Sequence, residues 1–196
     1  DDGVSVFSVA TDGTLTNVFN VSDDATLELD GAWDVRTHEV GGTTYLYVTG
    51  YNDDGVSVFS VANDGSLTNT ENISDSGPIV LDGAWRSLIR QFGSTTYYLV
   101  AGYGETAVNI FEVGNDGGLT HNSTHTSLTV STLNTPDNGH PVEVGSNQYM
   151  IVPADWEDAL NVYSLSASGE LTFVSRYSDD ATVHLDHTSR VTSAVV

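Results

Sequence analysis

The chain has 196 residues, 39% of them hydrophobic and none of them cysteine, so it is long and apolar enough for a core but excludes disulfides and thiolate chemistry. Its 27 acidic residues face five arginines (36, 86, 90, 176 and 190) and no lysine, and the formal charge of −22 excludes electrostatic binding to nucleic acid or to an anionic membrane surface. No apolar run approaches the roughly 18 residues of a membrane helix, so membrane insertion is not expected.

Such an acid excess suits a protein kept soluble in high salt, or an exported protein that works among divalent cations. The missing lysine points to a halophilic or marine source, with an acidic exported protein as the plainer reading. The chain opens with Asp1 and shows no signal peptide, so a processed product or a piece of something longer is expected, with an extracellular or cell-surface location.

In chain order the first element is Asp2-Gly-Val-Ser-Val-Phe-Ser-Val9, and it returns nearly unchanged as Asp54-Gly-Val-Ser-Val-Phe-Ser-Val61, 52 residues on (54 − 2 = 52). The same register gives Val108-Asn-Ile-Phe-Glu-Val113 and Leu160-Asn-Val-Tyr-Ser-Leu165. A fixed period of this size marks a repeat architecture. One full period reads as four strands: residues 31–38, a Gly41-Gly42 turn, residues 44–49, the turn Asn52-Asp-Asp-Gly55, residues 56–61, the turn Asn63-Asp-Gly65, and residues 67–72. Asp-Gly and Gly-Gly between alternating β-branched and aromatic runs are hairpin signals, and no segment has a convincing helical period.

In Val56-Ser-Val-Phe-Ser-Val61, alternation sends Val56 and Val58 to one face and Phe59 and Val61 to the other. Both faces are apolar and need cover, which small four-stranded sheets stacked around an axis supply. The fold expected is therefore an all-β propeller of four-stranded antiparallel blades, an incomplete ring or part of a longer one. Its blades cover residues 31–82, 83–134 and 135–186. Residues 1–30 supply the third and fourth strands of an interrupted blade, and residues 187–196 its first strand.

The turn landmarks recur as Asp12-Gly13, Asp64-Gly65, Asp116-Gly117 and, weakened, Ser168-Gly169, each followed by a Leu-Thr pair. The segments Tyr45-Leu-Tyr-Val-Thr-Gly-Tyr51, Gly55 to Val61 and Asp64-Gly-Ser-Leu-Thr68 together resemble the blades of lactonase-like propellers of the phosphogluconolactonase type, and the related repeats of large secreted bacterial proteins. The resemblance covers essentially the whole chain and rests on Val48, Gly50, Val56, Phe59, Asp64, Gly65 and Leu67, which specify a fold. It implies a propeller, and for complete rings a sugar-lactone hydrolase. No residue set of this chain maps onto the family's catalytic positions, so no catalytic residue is assigned.

Candidate sites follow from the period. Asp30, Asp82, Asn134 and Asp186 stand at the same point of successive blades, entering the innermost strand, and an oxygen collar there would suit Ca²⁺. The plainer reading is that each Asp caps a turn by bonding backbone N–H groups in its own blade. The acidic pairs Asp1-Asp2, Asp23-Asp24, Asp53-Asp54 and Asp179-Asp180 fit no EF-hand and read as solvated turns.

His184 and His187 alternate sides of a strand, His121 and His125 bracket a polar stretch, and His38 and His140 are placed to face the channel. Trp33 and Trp85 share a blade position, which reads as core packing; Trp156 follows a second strand. Asn20, Asn72 and Asn122 open glycosylation sequons. In the third unit Asn134-Thr-Pro-Asp-Asn-Gly-His-Pro141 replaces the Leu-Asp-Gly-Ala-Trp pattern, so Asn134, Asp137, Asn138 and His140 are the candidate ligand-binding residues.

The function expected is a non-catalytic interaction or structural module that binds a protein or glycan partner. Self-assembly, or the remainder of a longer chain, would complete the ring. The alternative is a lactonase-like hydrolase acting on a sugar lactone in the channel.

Overall fold

The computed structural model describes residues 2–104, 107–126, 139–154, 158–186 and 191. Fourteen strands and no helix occupy them: β1 (Gly3–Val9), β2 (Leu15–Ser22), β3 (Ala32–Val40), β4 (Thr43–Gly50), β5 (Gly55–Val61), β6 (Leu67–Ser74), β7 (Ala84–Phe92), β8 (Thr95–Gly102), β9 (Ala107–Val113), β10 (Leu119–Thr126), β11 (His140–Val144), β12 (Asn147–Ala154), β13 (Ala159–Leu165) and β14 (Leu171–Ser178). They form one two-stranded sheet, β1-β2, and three four-stranded antiparallel meanders, β3 to β6, β7 to β10 and β11 to β14. The fold is a β-propeller of four-stranded blades, as the repeat predicts.

The hairpin after each third strand shows why the period is so regular. In the turn Ala10 to Thr14, the Gly13 amide bonds to the Ala10 carbonyl and the Asp12 carboxylate accepts the Thr14 amide at 2.9 Å. Asp64 and Asp116 repeat this at Ser66 and Gly118. In the fourth unit, where Ser168 replaces the acid, Ser166 Oγ accepts the Glu170 amide at 3.0 Å instead. Gly13, Gly65, Gly117 and Gly169 all sit at φ between 76° and 85°, where a side chain is costly. Hydrogen bonds from neighbouring Thr or Ser hold the exposed Asp12, Asp24, Asp64 and Asp180 below the usual carboxylate range.

Between blades the packing is apolar on both sides, as the alternation of β5 requires. Phe59 and Val61 lie with Leu46, Val48 and Leu67 against Val4, Val6, Phe19 and Val21 of the first sheet. Val56 and Val58 turn the other way, onto Tyr98, Val100, Phe111 and Leu119 of the next blade. A third cluster joins Tyr97, Leu99 and Ile110 to Met150, Val152 and Tyr163. Burying one such side chain contributes roughly 1.5–3 kcal/mol, so the three clusters dominate the stabilisation.

Polar pins fix the register between those faces. Buried Ser57 accepts the Glu28 amide at 2.8 Å, and one period later buried Asn109 accepts the Val80 amide at 2.9 Å. Each pin ties a third strand to the segment that leads into its own blade. Tyr47 and Tyr97 donate hydroxyl hydrogen bonds of 2.8 Å to Gly117 O and Ala167 O in the turn of the following blade.

The first strands lie nearest one another, as an innermost position demands. The Asp34 carboxylate accepts the Ser87 amide at 2.8 Å, and Arg36 Nε donates to the Ser87 carbonyl at 2.8 Å. Arg36 also pairs with Asp34 at 3.0 Å, so this arginine is held between two inner strands.

Candidate ligand platform at the inner-strand entry

Each described inner strand of the second and third blades begins with Asp-Gly-Ala-Trp: Asp30 to Trp33 and Asp82 to Trp85. Gly31 at φ 65° and Gly83 at φ 62° make the left-handed step into the strand, and their carbonyls accept the Tyr51 and Tyr103 amides at 3.1 and 3.0 Å. The turn after each second strand is thereby clamped against the entry of the first. This clamp delivers one tryptophan and one tyrosine per blade to the same place.

The four rings make a continuous platform. Trp33 stacks on Trp85 with centroids 4.1 Å apart and an interplanar angle of 26°, and Trp85 stacks on Tyr103 at 5.3 Å and 25°. Tyr51 closes the group, edge-on to Trp85 at 5.6 Å and tilted to Trp33 at 6.1 Å. Such pairs contribute about 0.5–1.5 kcal/mol each beyond area burial. Yet Trp33 is 54% exposed and Tyr103 46% exposed, so both ends of the ladder face solvent.

The core role expected for Trp33 and Trp85 is therefore corrected. Register breaks between Ala32 and Val35 and between Ala84 and Ser87 interrupt the two-residue alternation and lift both indoles off the packed faces. Tyr51 and Tyr103 are the members sequence reasoning missed. Their signal was present: each follows the glycine that ends a second strand, and they are 52 residues apart.

The collar residues lie beside this platform. Asp30 Oδ1 accepts from the side-chain amide of Asn52, next to Tyr51, at 2.8 Å. Asp82 is exposed and packs on Gly104, next to Tyr103, whose missing Cβ leaves room for the carboxylate. This bond ties Asp30 to the turn of its own blade through a side chain and not through a backbone N–H. Asp186 is exposed, and Asn134 lies outside the described residues.

Among the described residues no three His, Cys, Asp or Glu side chains gather closely enough to hold a metal ion; the four-membered collar with Asn134 is not described as a whole. Of the other acids, Asp2 and Asp54 tie blades together by accepting the Gly31 and Gly83 amides at 3.1 and 2.8 Å, and Asp53 accepts the Asp30 amide within one blade at 2.8 Å. Asp23 accepts the Leu29 amide at 3.2 Å, while burial and the charges of Asp53 and Asp30 push its carboxyl above the usual range.

Ser123, His125 and Glu170 stand together with the composition of a hydrolytic triad and the geometry of a structural lock. Ser123 Oγ lies 3.1 Å from His125 Nε2 but donates to the Gly169 carbonyl at 2.9 Å. The same Nε2 accepts the Leu171 amide at 3.3 Å and is the atom 4.0 Å from Glu170. A triad needs its acid on the opposite ring nitrogen and its serine open to substrate, and here both Ser123 and His125 are buried.

Of the other histidines, His121 bonds Thr124 at 2.8 Å and meets Phe111 edge-on. His38 is half-buried in β3 opposite Tyr45, His140 opens β11 opposite Ile151, and His184 is exposed. His187, Trp156, Asp137 and Asn138 lie outside the described residues, so His140 alone of the rebuilt-loop set is placed. All three sequon asparagines are exposed. Asn20 pairs with Asn17 at 2.8 Å, whereas Asn72 donates to the Thr26 carbonyl and accepts from Ser57, both at 2.8 Å.

No protein-family model matches the chain, and no curated protein matches its sequence. Solved structures do. A candidate 6-phosphogluconolactonase from Bacteroides uniformis superposes with a TM-score of 0.61 at 17% identity, over 95% of this chain and 50% of that one. A protein from Lactobacillus plantarum gives 0.59 at 18% identity, over 90% and 51%. The exo-β-1,3-galactanase of Phanerochaete chrysosporium gives 0.53 at 13% identity, over 90% and 43%. The chain thus spans about half the length of these proteins or less. At this identity the likeness shows the fold, a β-propeller.

Proposed function

We propose that the chain is a non-catalytic binding module of an exported acidic protein, which takes its partner on the inner-strand face through the Trp33–Trp85–Tyr103 ladder and Tyr51. One observation carries this reading: four aromatic side chains are gathered by two repeats and left open to solvent at both ends. A folded protein gains by covering such rings, and exposing them together is a cost that ligand binding relieves. Among the described residues, the serine–histidine pair with triad composition, Ser123 and His125, is engaged by backbone groups. The hydrolase alternative draws its support from the lactonase-like neighbours, whose likeness reaches the fold alone.

The test screens the chain against glycan and peptide arrays beside the Trp33→Ala/Tyr103→Ala double variant, with acid release from a panel of sugar lactones measured on the same samples. Both residues are well exposed, so the variant is expected to fold, with a melting temperature lowered only by the ring contacts it loses. Binding that the variant loses, without lactone hydrolysis, is the expected result. Hydrolysis by the wild-type chain, or binding indifferent to both substitutions, overturns the proposal.

A further inference from the structure

We infer that the aromatic platform takes a weakly hydrated organic cation of the quaternary ammonium class. This rests on the reading of the platform as a binding surface and narrows its ligand. Trp and Tyr faces carry negative quadrupole potential, which attracts a cation set against the ring. Adjacent rings of the ladder lie within 26° of parallel, Trp33 on Trp85 and Trp85 on Tyr103, so a methylated ammonium group at either open end meets an indole or phenol face.

Charge complementarity selects the cation over a neutral or anionic ligand. Asp30 and Asp82 stand beside Tyr51 and Tyr103, and the chain as a whole carries −22. That field concentrates cations at its surface and repels phosphorylated or carboxylated ligands. Two arginines adjoin the platform: Arg36 is engaged by Asp34 and the Ser87 carbonyl, and Arg86, beside Trp85 in β7, is half-buried and partnered. A small hard cation would keep its water or seek oxygen ligands, whereas a quaternary ammonium loses little hydration on moving to a ring.

The test titrates the intact chain with choline chloride and with 3,3-dimethylbutan-1-ol, its uncharged isostere, at fixed ionic strength. The readout is the indole N–H resonances of its three tryptophans. Choline is expected to shift two of them saturably, with the isostere binding roughly tenfold or more weakly. The Trp33→Ala/Tyr103→Ala double variant, which removes both open ends, is expected to abolish the effect and Asp82→Asn to weaken it several-fold; all three residues are exposed, so both variants should fold. Equal binding of the isostere overturns the cation assignment while leaving a binding platform in place. Choline shifts that persist in the double variant, or no shift in the wild-type chain, also overturn it. The array screen with the double variant then decides the binding-module reading separately.

Discussion

Glu71 and His125 perform one task at two successive blade interfaces. Glu71 accepts the Leu119 amide at 2.7 Å, and His125 Nε2 accepts the Leu171 amide, one period later, at 3.3 Å. The two acceptors are not equivalent in the repeat, because Glu71 corresponds to Ser123 and His125 to Ile73. Ser123 is too short to take over the amide, and it caps the Gly169 carbonyl instead, as Tyr47 caps Gly117. A buried amide must have a partner, and two unrelated side chains meet that demand.

The exchange makes the third interface acid-sensitive. Burial lowers the His125 pKa below its ordinary 6.5, against an opposing pull from Glu170. With the folded pKa depressed, the unfolded chain binds the proton more readily. Stability is full above about pH 6.5 and falls as the pH drops from there towards the folded value. His125→Gln, which keeps an acceptor and does not titrate, is expected to flatten the melting temperature between pH 7 and roughly pH 5 relative to wild type. Parallel curves for the two proteins would refute this.

Asn109 should be the most costly polar residue to replace. Its fully buried carboxamide accepts from the Val80 amide and from Thr124 Oγ1 at 2.8 Å, and donates to the Val80 carbonyl. Asn109→Leu leaves all three groups without it and is expected to cost about 2–4 kcal/mol. Asn109→Ser installs the residue found at position 57, where one hydroxyl serves the Glu28 amide and Asn72, and should cost less. Equal losses in urea unfolding would show that the pin contributes packing and not hydrogen bonds.

The blades were legible because each period states its turns and its two apolar faces locally. Asp64-Gly65 fixes a hairpin, and Val56, Val58 and Phe59 reveal cover on both sides. The platform was not legible, because a register break between Ala32 and Val35 turns Trp33 outward, and alternation counted along the strand cannot show a break that only pairing reveals. The Glu71–His125 exchange was hidden for a different reason. It depends on which side chain of one blade reaches an amide of the next, and the repeat aligns the amides but not the acceptors.

The four equivalent turn glycines should differ sharply in tolerance. Gly13, at φ 85°, has nothing near its absent Cβ, so Gly13→Ala is expected to cost about 1 kcal/mol for the backbone alone. Gly117, at φ 76°, has the ring of Tyr45 where a Cβ would sit. Gly117→Ala adds that collision and should cost about 2 kcal/mol or more, since the ring is packed into the interface between the second and third blades. Indistinguishable melting temperatures for the two variants would mean that Tyr45 yields freely.

Glu28 carries the local form of the chain's charge problem. It accepts a hydrogen bond from Ser74, yet burial first and then the charges of Asp53, Asp23 and Asp54 raise its pKa above the ordinary 4.5. With the folded pKa raised, the protonated side chain favours the fold, and that contribution is lost as the pH climbs from 4.5 through the folded value. Above this window the wild-type chain bears a repulsion that Glu28→Gln lacks, while the amide oxygen still accepts from Ser74. The variant should therefore melt higher than wild type at pH 7 in low salt; the gap should close on acidification below pH 4.5 and narrow, by the share due to Asp23, Asp53 and Asp54, on adding salt. A variant that melts lower under all three conditions would mean that the ionised carboxylate is worth more to Ser74 than its acidic neighbours take away.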